Sequence, residues 1–269
     1  MNERVAVLGA GKMGEALLSG LLRAGRPPED LLFTERHEDR AAELSERLGV
    51  VAVPAADAAQ RADTLLIAVK PQEISVLLDE LAAAVTPDTL VISIAAGIPT
   101  TVVEKRLADG TPVVRVMSNT PVFVDEAMSA IAPGAHADES HLERTEDLLR
   151  PVGKVIRVPE HQLDAVTALS GSGPAYFFFL VEAMIDAGIL LGLPRAVAAD
   201  LIVQTAIGSA IMLRDSGQHP VQLREAVTSP GGTTIAAIRE LENHGVRAAL
   251  LSALEAARDR SRELAAGAG

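Results

Sequence analysis

The chain has no cysteine, which excludes disulfides, thiolate catalysis and cysteine-ligated metals. It has no tryptophan and one tyrosine, and aromatic residues make up only 2% of it. So few rings argue against a base-stacking surface for single-stranded nucleic acid, and they leave the core to Ala, Val, Leu and Ile. The six histidines show no H-x-x-x-H spacing, so no metal is expected, and no G-x-S-x-G nucleophile elbow occurs. Positive charge is also scarce, with 24 Lys plus Arg against 36 Asp plus Glu and a net charge of −12. That balance opposes non-specific binding to nucleic acid or to an anionic membrane. An anionic small molecule needs a locally positive pocket, built from a few basic side chains or from helix N-termini. After Met1-Asn2-Glu3-Arg4, the apolar run Val5–Leu8 is too short for a signal-peptide core, so a cytoplasmic location is expected. One apolar stretch, Ala175–Leu193, comes close to membrane-spanning length. It contains Glu182 and Asp186, and an acid at mid-membrane costs about 2.5–3.5 kcal/mol on insertion scales. The stretch therefore reads as a helix buried in protein, at a subunit interface, and no membrane partner is expected.

What remains is a chain of 269 residues, 48% hydrophobic, long enough for two ordinary domains. Short β-type runs alternate with helical stretches in the first half. Strands are expected at Val5–Leu8, Leu31–Thr34, Val50–Val53, Leu65–Val69, Leu90–Ile94 and Val113–Met117, with helices at Met13–Arg23 and Glu38–Leu48. Met128–Ala132 and Val155–Val158 add strands at the far edge. Such alternation predicts a parallel sheet covered by helices on both faces. After Pro159 only helices are expected, at Leu163–Leu169, Ala175–Leu191, Arg195–Arg214, Thr234–Glu242 and Val246–Leu264. Pro174, Pro194, Pro220 and Pro230 each fall at or near a helix start. The fold class is thus an α/β Rossmann-type domain over residues 1–158, followed by an all-α domain over 159–269. Beyond an Ala/Gly tail at Ala265–Gly269 there is no low-complexity region and no internal repeat.

Gly9-Ala10-Gly11-Lys12-Met13-Gly14 is a G-x-G-x-x-G that follows a strand and opens a helix, the context in which it binds dinucleotides. Gly9 permits the tight turn, Gly11 lets a pyrophosphate approach the backbone, and Gly14 lets helix and strand pack closely. At the end of the second strand, an acid favours NAD through the ribose 2′-hydroxyl, whereas an arginine favours NADP through the 2′-phosphate. The chain has both Glu35 and Arg36 there, and the sequence leaves open which one points inward. Ala68-Val69-Lys70 closes another buried strand, and Ala95-Ala96-Gly97 ends the next with residues small enough for a flat nicotinamide ring. In the helical half, Leu169–Pro174 and Thr228–Thr234 are rich in Gly, Ser and Thr and precede helices. A hydroxyl before a helix is commonly a cap. The second segment is denser than capping needs, and its backbone N–H groups suit a carboxylate.

Read together, GAGKMG, AVKPQ at Ala68–Gln72, ISIAAG at Ile92–Gly97, RVMSNTP at Arg115–Pro121, TALSGSGPAYFF at Thr167–Phe178 and VTSPGGTT at Val227–Thr234 resemble the pyrroline-5-carboxylate reductase family. The resemblance covers essentially the whole chain. The last two segments are the most specific, since GAGKMG alone fits many dehydrogenases. It implies a Rossmann domain followed by a helical dimerisation domain, a homodimer, and dimers that assemble further into rings such as a decamer. It implies a small-molecule substrate lying between the nicotinamide and the helix start of a partner subunit. There Thr234 is the catalytic contact to the ring nitrogen, and Gly232, Thr233 and Thr234 hold the carboxylate. Glu160 matches a position near the substrate, and Asn119 joins the cofactor set. Three positions depart from many relatives: Ser118 where proline is common, and Ala56 and Ala226 where asparagine occurs. With Glu35, Ala56 weakens the case for NADP; Arg36 still favours NADPH, with NADH as the alternative.

The implied reaction is the last step of proline biosynthesis, hydride transfer to an imine carbon with protonation of the ring nitrogen. Holding both reactants in contact is worth about 7–11 kcal/mol, and a protonated imine needs no strong general acid. Three rivals are weighed against this: a Rossmann reductase for a related cyclic imine, a hydroxyacid dehydrogenase and a non-catalytic nucleotide sensor. The hydroxyacid enzymes use a lysine on a helix of the second domain, and residues 159–269 contain no lysine. A sensor has no use for the second hydroxyl-rich helix start.

Overall fold

The computed structural model describes residues 3–266; Met1 and Asn2 of the chain start and residues 267–269 of the Ala/Gly tail lie outside the described residues. By contacts the chain divides into two compact units, Met1–Ser172 with Ala257–Gly269, and Gly173–Ala256.

The first unit is built on eight strands: β1 (Val5–Leu8), β2 (Leu31–Thr34), β3 (Val51–Ala52), β4 (Thr64–Ile67), β5 (Leu90–Ser93), β6 (Val113–Met117), β7 (Ala127–Pro133) and β8 (Gly153–Arg157). Their order in the sheet is β3-β2-β1-β4-β5-β6-β7-β8. All neighbours are parallel except the antiparallel pair β6 and β7. Helices α1 (Lys12–Arg23), α2 (Glu38–Leu48), α3 (Ala55–Arg61), α4 (Ile74–Leu81), α5 (Thr100–Glu104) and α6 (Glu139–Leu149) connect them, and α7 (Leu163–Val166) follows the last strand. The continuous apolar strands follow from burial on both faces. Val5 and Val7 cluster with Leu17, Leu18 and Leu21 of α1, while Ala6 and Leu8 cluster with Leu77, Leu78 and Leu81 of α4. Because β1 lies between β2 and β4, the winding reverses there, and a crevice opens beyond the carboxyl ends of the strands.

The strands expected at Val5–Leu8, Leu31–Thr34 and Val113–Met117 are present with those bounds. Leu65–Val69 is shifted to Thr64–Ile67; the Ala68 N–H makes a last bond to the Leu8 carbonyl of β1 at 2.8 Å, and the chain beyond it borders the crevice. The helix expected at Leu163–Leu169 stops at Val166 and continues as a π-helical turn, Thr167–Gly171. Helices α3 to α6 were not anticipated, and neither was Pro220–Ala226 in the second unit. α6 carried a legible signal: Asp138 caps it by accepting from the Ser140 and His141 N–H groups, ahead of Leu142, Thr145, Leu148 and Leu149 at helical spacing.

The second unit holds α8 (Gly173–Leu190), α9 (Arg195–Asp215), α10 (Pro220–Ala226), α11 (Thr233–Asn243) and the first part of α12 (Val246–Ala266). α8 packs on α9 through Gly188, where a Cβ would come within 2.8 Å of the Ala198 methyl. Two helical stretches, Glu160–Leu190 and Arg195–Asp215, are long and apolar enough to cross a membrane by length and composition, with mean hydropathies of 1.4 and 1.8. Only 6% of each window is buried within a single chain, so the burial expected for Ala175–Leu193 at a subunit interface falls to a second copy. Phe177, Phe178 and Phe179 are 67%, 70% and 69% exposed.

Candidate dinucleotide and substrate sites

The turn after β1 puts its three glycines to three different uses. Gly9 has φ +97°, and a Cβ there would lie 2.8 Å from Val69 Cγ1. A Cβ on Gly14 would overlap the Gly9 carbonyl. Gly11 is the N-cap of α1, has no side-chain cap, and would direct a Cβ into open space with nothing within 4 Å. The first N–H groups of α1, from Lys12 to Gly14, have no helical acceptor of their own. Thr34 secures the turn: its Oγ1 accepts the Gly9 N–H at 2.9 Å, and its carbonyl accepts that of buried Ala10 at 2.9 Å.

A cleft of about 350 Å³ extends from this turn, lined among others by Gly9, Gly11, Glu35, Arg36, Ala68, Val69, Lys70 and Glu73. The fold thus brings the turn, the end of β2 and the end of β4 to one place. Glu35 is turned back on its own loop, its Oε1 accepting the His37 N–H at 3.1 Å. Arg36 reaches across the cleft and pairs with Glu73 at 2.9 Å. Lys70 stands exposed on the rim. Thr34 and Glu73 were missed as site residues, since their roles depend on contacts to Gly9 and Arg36. Ala95, Ala96 and Gly97 do not line this cleft; they follow β5, the neighbour of β4. Ala95 is buried and Gly97 has φ +74°.

Asn119 and Glu160 are engaged within the first unit. Asn119 Oδ1 accepts the Met128 N–H at 2.9 Å, and its Nδ2 donates to Ser170 O at 3.2 Å and Oγ at 3.3 Å. Glu160 accepts from the Thr100 N–H at 2.8 Å, the Thr100 hydroxyl at 2.9 Å and Arg115 at 3.2 Å. A larger cavity, about 630 Å³, is lined by Glu3, Arg26, Asp30, Glu143, Arg144 and Asp147 among others. It carries opposed charges and none of the glycine turn.

In the second unit, α11 starts at Thr233 with Gly232 as an N-cap that lacks a side-chain cap. Gly231 has φ +67°, and a Cβ on Gly232 would overlap Ser229 Oγ. The Thr228 hydroxyl is committed to the Arg224 carbonyl at 2.6 Å. Half-buried Thr234 lies in the first turn, and its hydroxyl does not cap the helix. That start combines undirected N–H donors with an uncommitted hydroxyl.

A glycine turn at the switch point of a parallel sheet, in a chain that continues into a separate helical unit, defines a Rossmann-type nicotinamide-dinucleotide oxidoreductase. Residues 4–97 match the family model described as NADP oxidoreductase, coenzyme F420-dependent. Residues 160–264 match pyrroline-5-carboxylate reductase dimerisation. The pyrroline-5-carboxylate reductase of Corynebacterium melassecola is 45% identical over 264 residues, 97% of this chain and 98% of that one. The structure of the enzyme from Coxiella burnetii superposes with a TM-score of 0.93 at 37% identity, covering 98% of this chain and 99% of that one. That of the Plasmodium falciparum pyrroline carboxylate reductase, with NADP bound, superposes with a TM-score of 0.88 at 28% identity, covering 98% of each. The chain belongs to the pyrroline-5-carboxylate reductase family.

Proposed function

We propose that this protein reduces 1-pyrroline-5-carboxylate to L-proline, the last step of proline biosynthesis, with NADPH as the preferred donor and NADH as the alternative. The observation that carries the reading is the start of α11, where backbone donors and the Thr234 hydroxyl stand unspent. The cofactor fits the other unit: open space at Gly11 and the uncapped start of α1 suit a pyrophosphate. Bound there, the nicotinamide supplies a hydride for the imine carbon of the substrate. Residues Gly9 to Gly14 hold the phosphates, Arg36 and Glu35 face the adenosine ribose, Ala68 to Lys70 border the cleft, and Ala95 to Gly97 take the ring. Gly232, Thr233 and Thr234 hold the carboxylate, with Glu160 on the substrate side. Thr234 hydrogen-bonds the ring nitrogen, which takes up one proton as the C=N bond becomes a C–N single bond.

Residues 1–158 serve as the dinucleotide-binding domain and 159–269 as the dimerisation and substrate domain. The protein works in the cytoplasm as a homodimer, and dimers assemble further into a ring such as a decamer. Purified protein should oxidise NADPH only when the cyclic imine is present, in parallel with an NADH assay. Absence of turnover with both cofactors would sink the reading, and cofactor binding without turnover would favour a nucleotide sensor.

A further inference from the structure

Arg115, Met117 and Asn119 alternate along β6 and just beyond it, and all three hold one segment of chain. Arg115 donates to Glu160 at 3.2 Å. The Met117 methyl fills the space that a Cβ on Gly171 would need. Asn119 Nδ2 donates to both the carbonyl and the hydroxyl of Ser170. Between these points Leu163 packs with Ala130 and Ala132 of β7. Residues 160–171 are thus moored along the β6–β7 pair.

Ser170 is the telling contact. In a continuing helix its carbonyl would accept from the residue four further on, which is Pro174 and has no N–H. The chain forms a π-helical turn instead, with the Ser172 N–H donating to the Thr167 carbonyl at 2.8 Å. The Asn119 amide supplies the donor that Pro174 lacks. Its orientation is fixed, because Oδ1 is held by the Met128 N–H and a flip would lose both contacts. Asn119 follows the carboxyl end of β6, which runs parallel to β5. It therefore stands at the sheet edge that carries Gly9, Lys70 and Gly97, the edge at which open α/β sheets take ligands.

We infer that Asn119 is a positioning residue for the reaction, holding the Ser170 turn at the ligand edge in place of the missing Pro174 N–H. This rests on the reductase reading above. It departs from the family resemblance, which groups Asn119 with the cofactor; both ends of its amide are already engaged. The test compares parent, Asn119→Ala, Pro174→Ala and the double variant by steady-state turnover, NADPH titration and thermal melting. Asn119→Ala should lower kcat about tenfold, the rate equivalent of a lost hydrogen bond, with the NADPH Kd within about twofold of the parent. Pro174→Ala restores an N–H for the Ser170 carbonyl, so the double variant should regain most of the lost kcat. A raised NADPH Kd with kcat retained would make Asn119 a cofactor ligand. Equal kcat losses in both backgrounds would show that the Ser170 carbonyl is not the link. A lower melting temperature with kcat and Kd unchanged would reduce Asn119 to a structural contact. A parent without turnover would count against the reductase reading; each of the other adverse results, in an active parent, overturns this inference alone.

Discussion

Glu35 and Arg36 are neighbours of opposite charge, and the fold commits them differently. Glu35 accepts its own loop's backbone, while Arg36 holds Glu73 across the cleft. An ion pair this exposed is worth about 0–1 kcal/mol, so a 2′-phosphate can take Arg36 over at little cost. Arg36→Ala should raise the KM for NADPH about ten- to a hundredfold, as loss of a charged hydrogen bond implies, and leave that for NADH nearly unchanged. Equal effects in paired kinetics would remove Arg36 from phosphate recognition. Thr234 poses a similar choice between capping and catalysis, and Gly232 already occupies the N-cap. Thr234→Ala should lose about tenfold or more in kcat/KM, Thr234→Ser should retain most activity, and both should melt near the parent. An Ala variant that melts lower with unchanged kinetics would return Thr234 to a structural role. Gly9 and Gly14 of the turn were legible because each meets a steric demand only glycine satisfies. The destinations of Glu35 and Arg36 were not, because one depends on a backbone bend and the other on a partner in a different connection.

At the scale of elements, the strands of the first half were the clearest signal, since apolar runs buried on both faces leave little ambiguity. Short amphipathic helices such as α3 and α5 were not, because each offers only two buried residues. α6 shows how such an element is held. Its Glu146 takes a side-chain hydrogen bond from Arg157 of β8, which pulls the Glu146 carboxyl below the usual carboxylate range. With a depressed native pKa, this contribution is present above the ordinary carboxylate range and is lost as pH falls through the depressed value. Melting temperature should therefore drop on acidification, and Glu146→Gln should melt lower at neutral pH with a shallower acid limb. Parallel pH profiles for parent and variant would show that the contact carries no such coupling. The π-helical turn was invisible to helical periodicity because it arises from the Ser170 carbonyl, Pro174 and the Asn119 amide together.

For the whole molecule, the decisive feature is the bare apolar surface of α8 and α9. Phe177, Phe178 and Phe179, with Leu190 and Leu191, lie mostly exposed in a single chain, a patch that marks an association surface. These helices fall within the segment matched to the dimerisation family. Sedimentation at low concentration should show no folded monomer, and Phe178→Asp should yield monomer or aggregate with lost activity. A stable, active monomer would refute the obligate dimer. The sequence by itself determined the succession of the eight strands, the dinucleotide turn and the family, because glycine sterics and hydrophobic periodicity are local. Only the tertiary structure decided that Arg36 pairs with Glu73, that Asn119 serves Ser170, and that the Thr234 hydroxyl is free of capping. Those outcomes depend on side-chain directions and on partners that chain spacing does not encode.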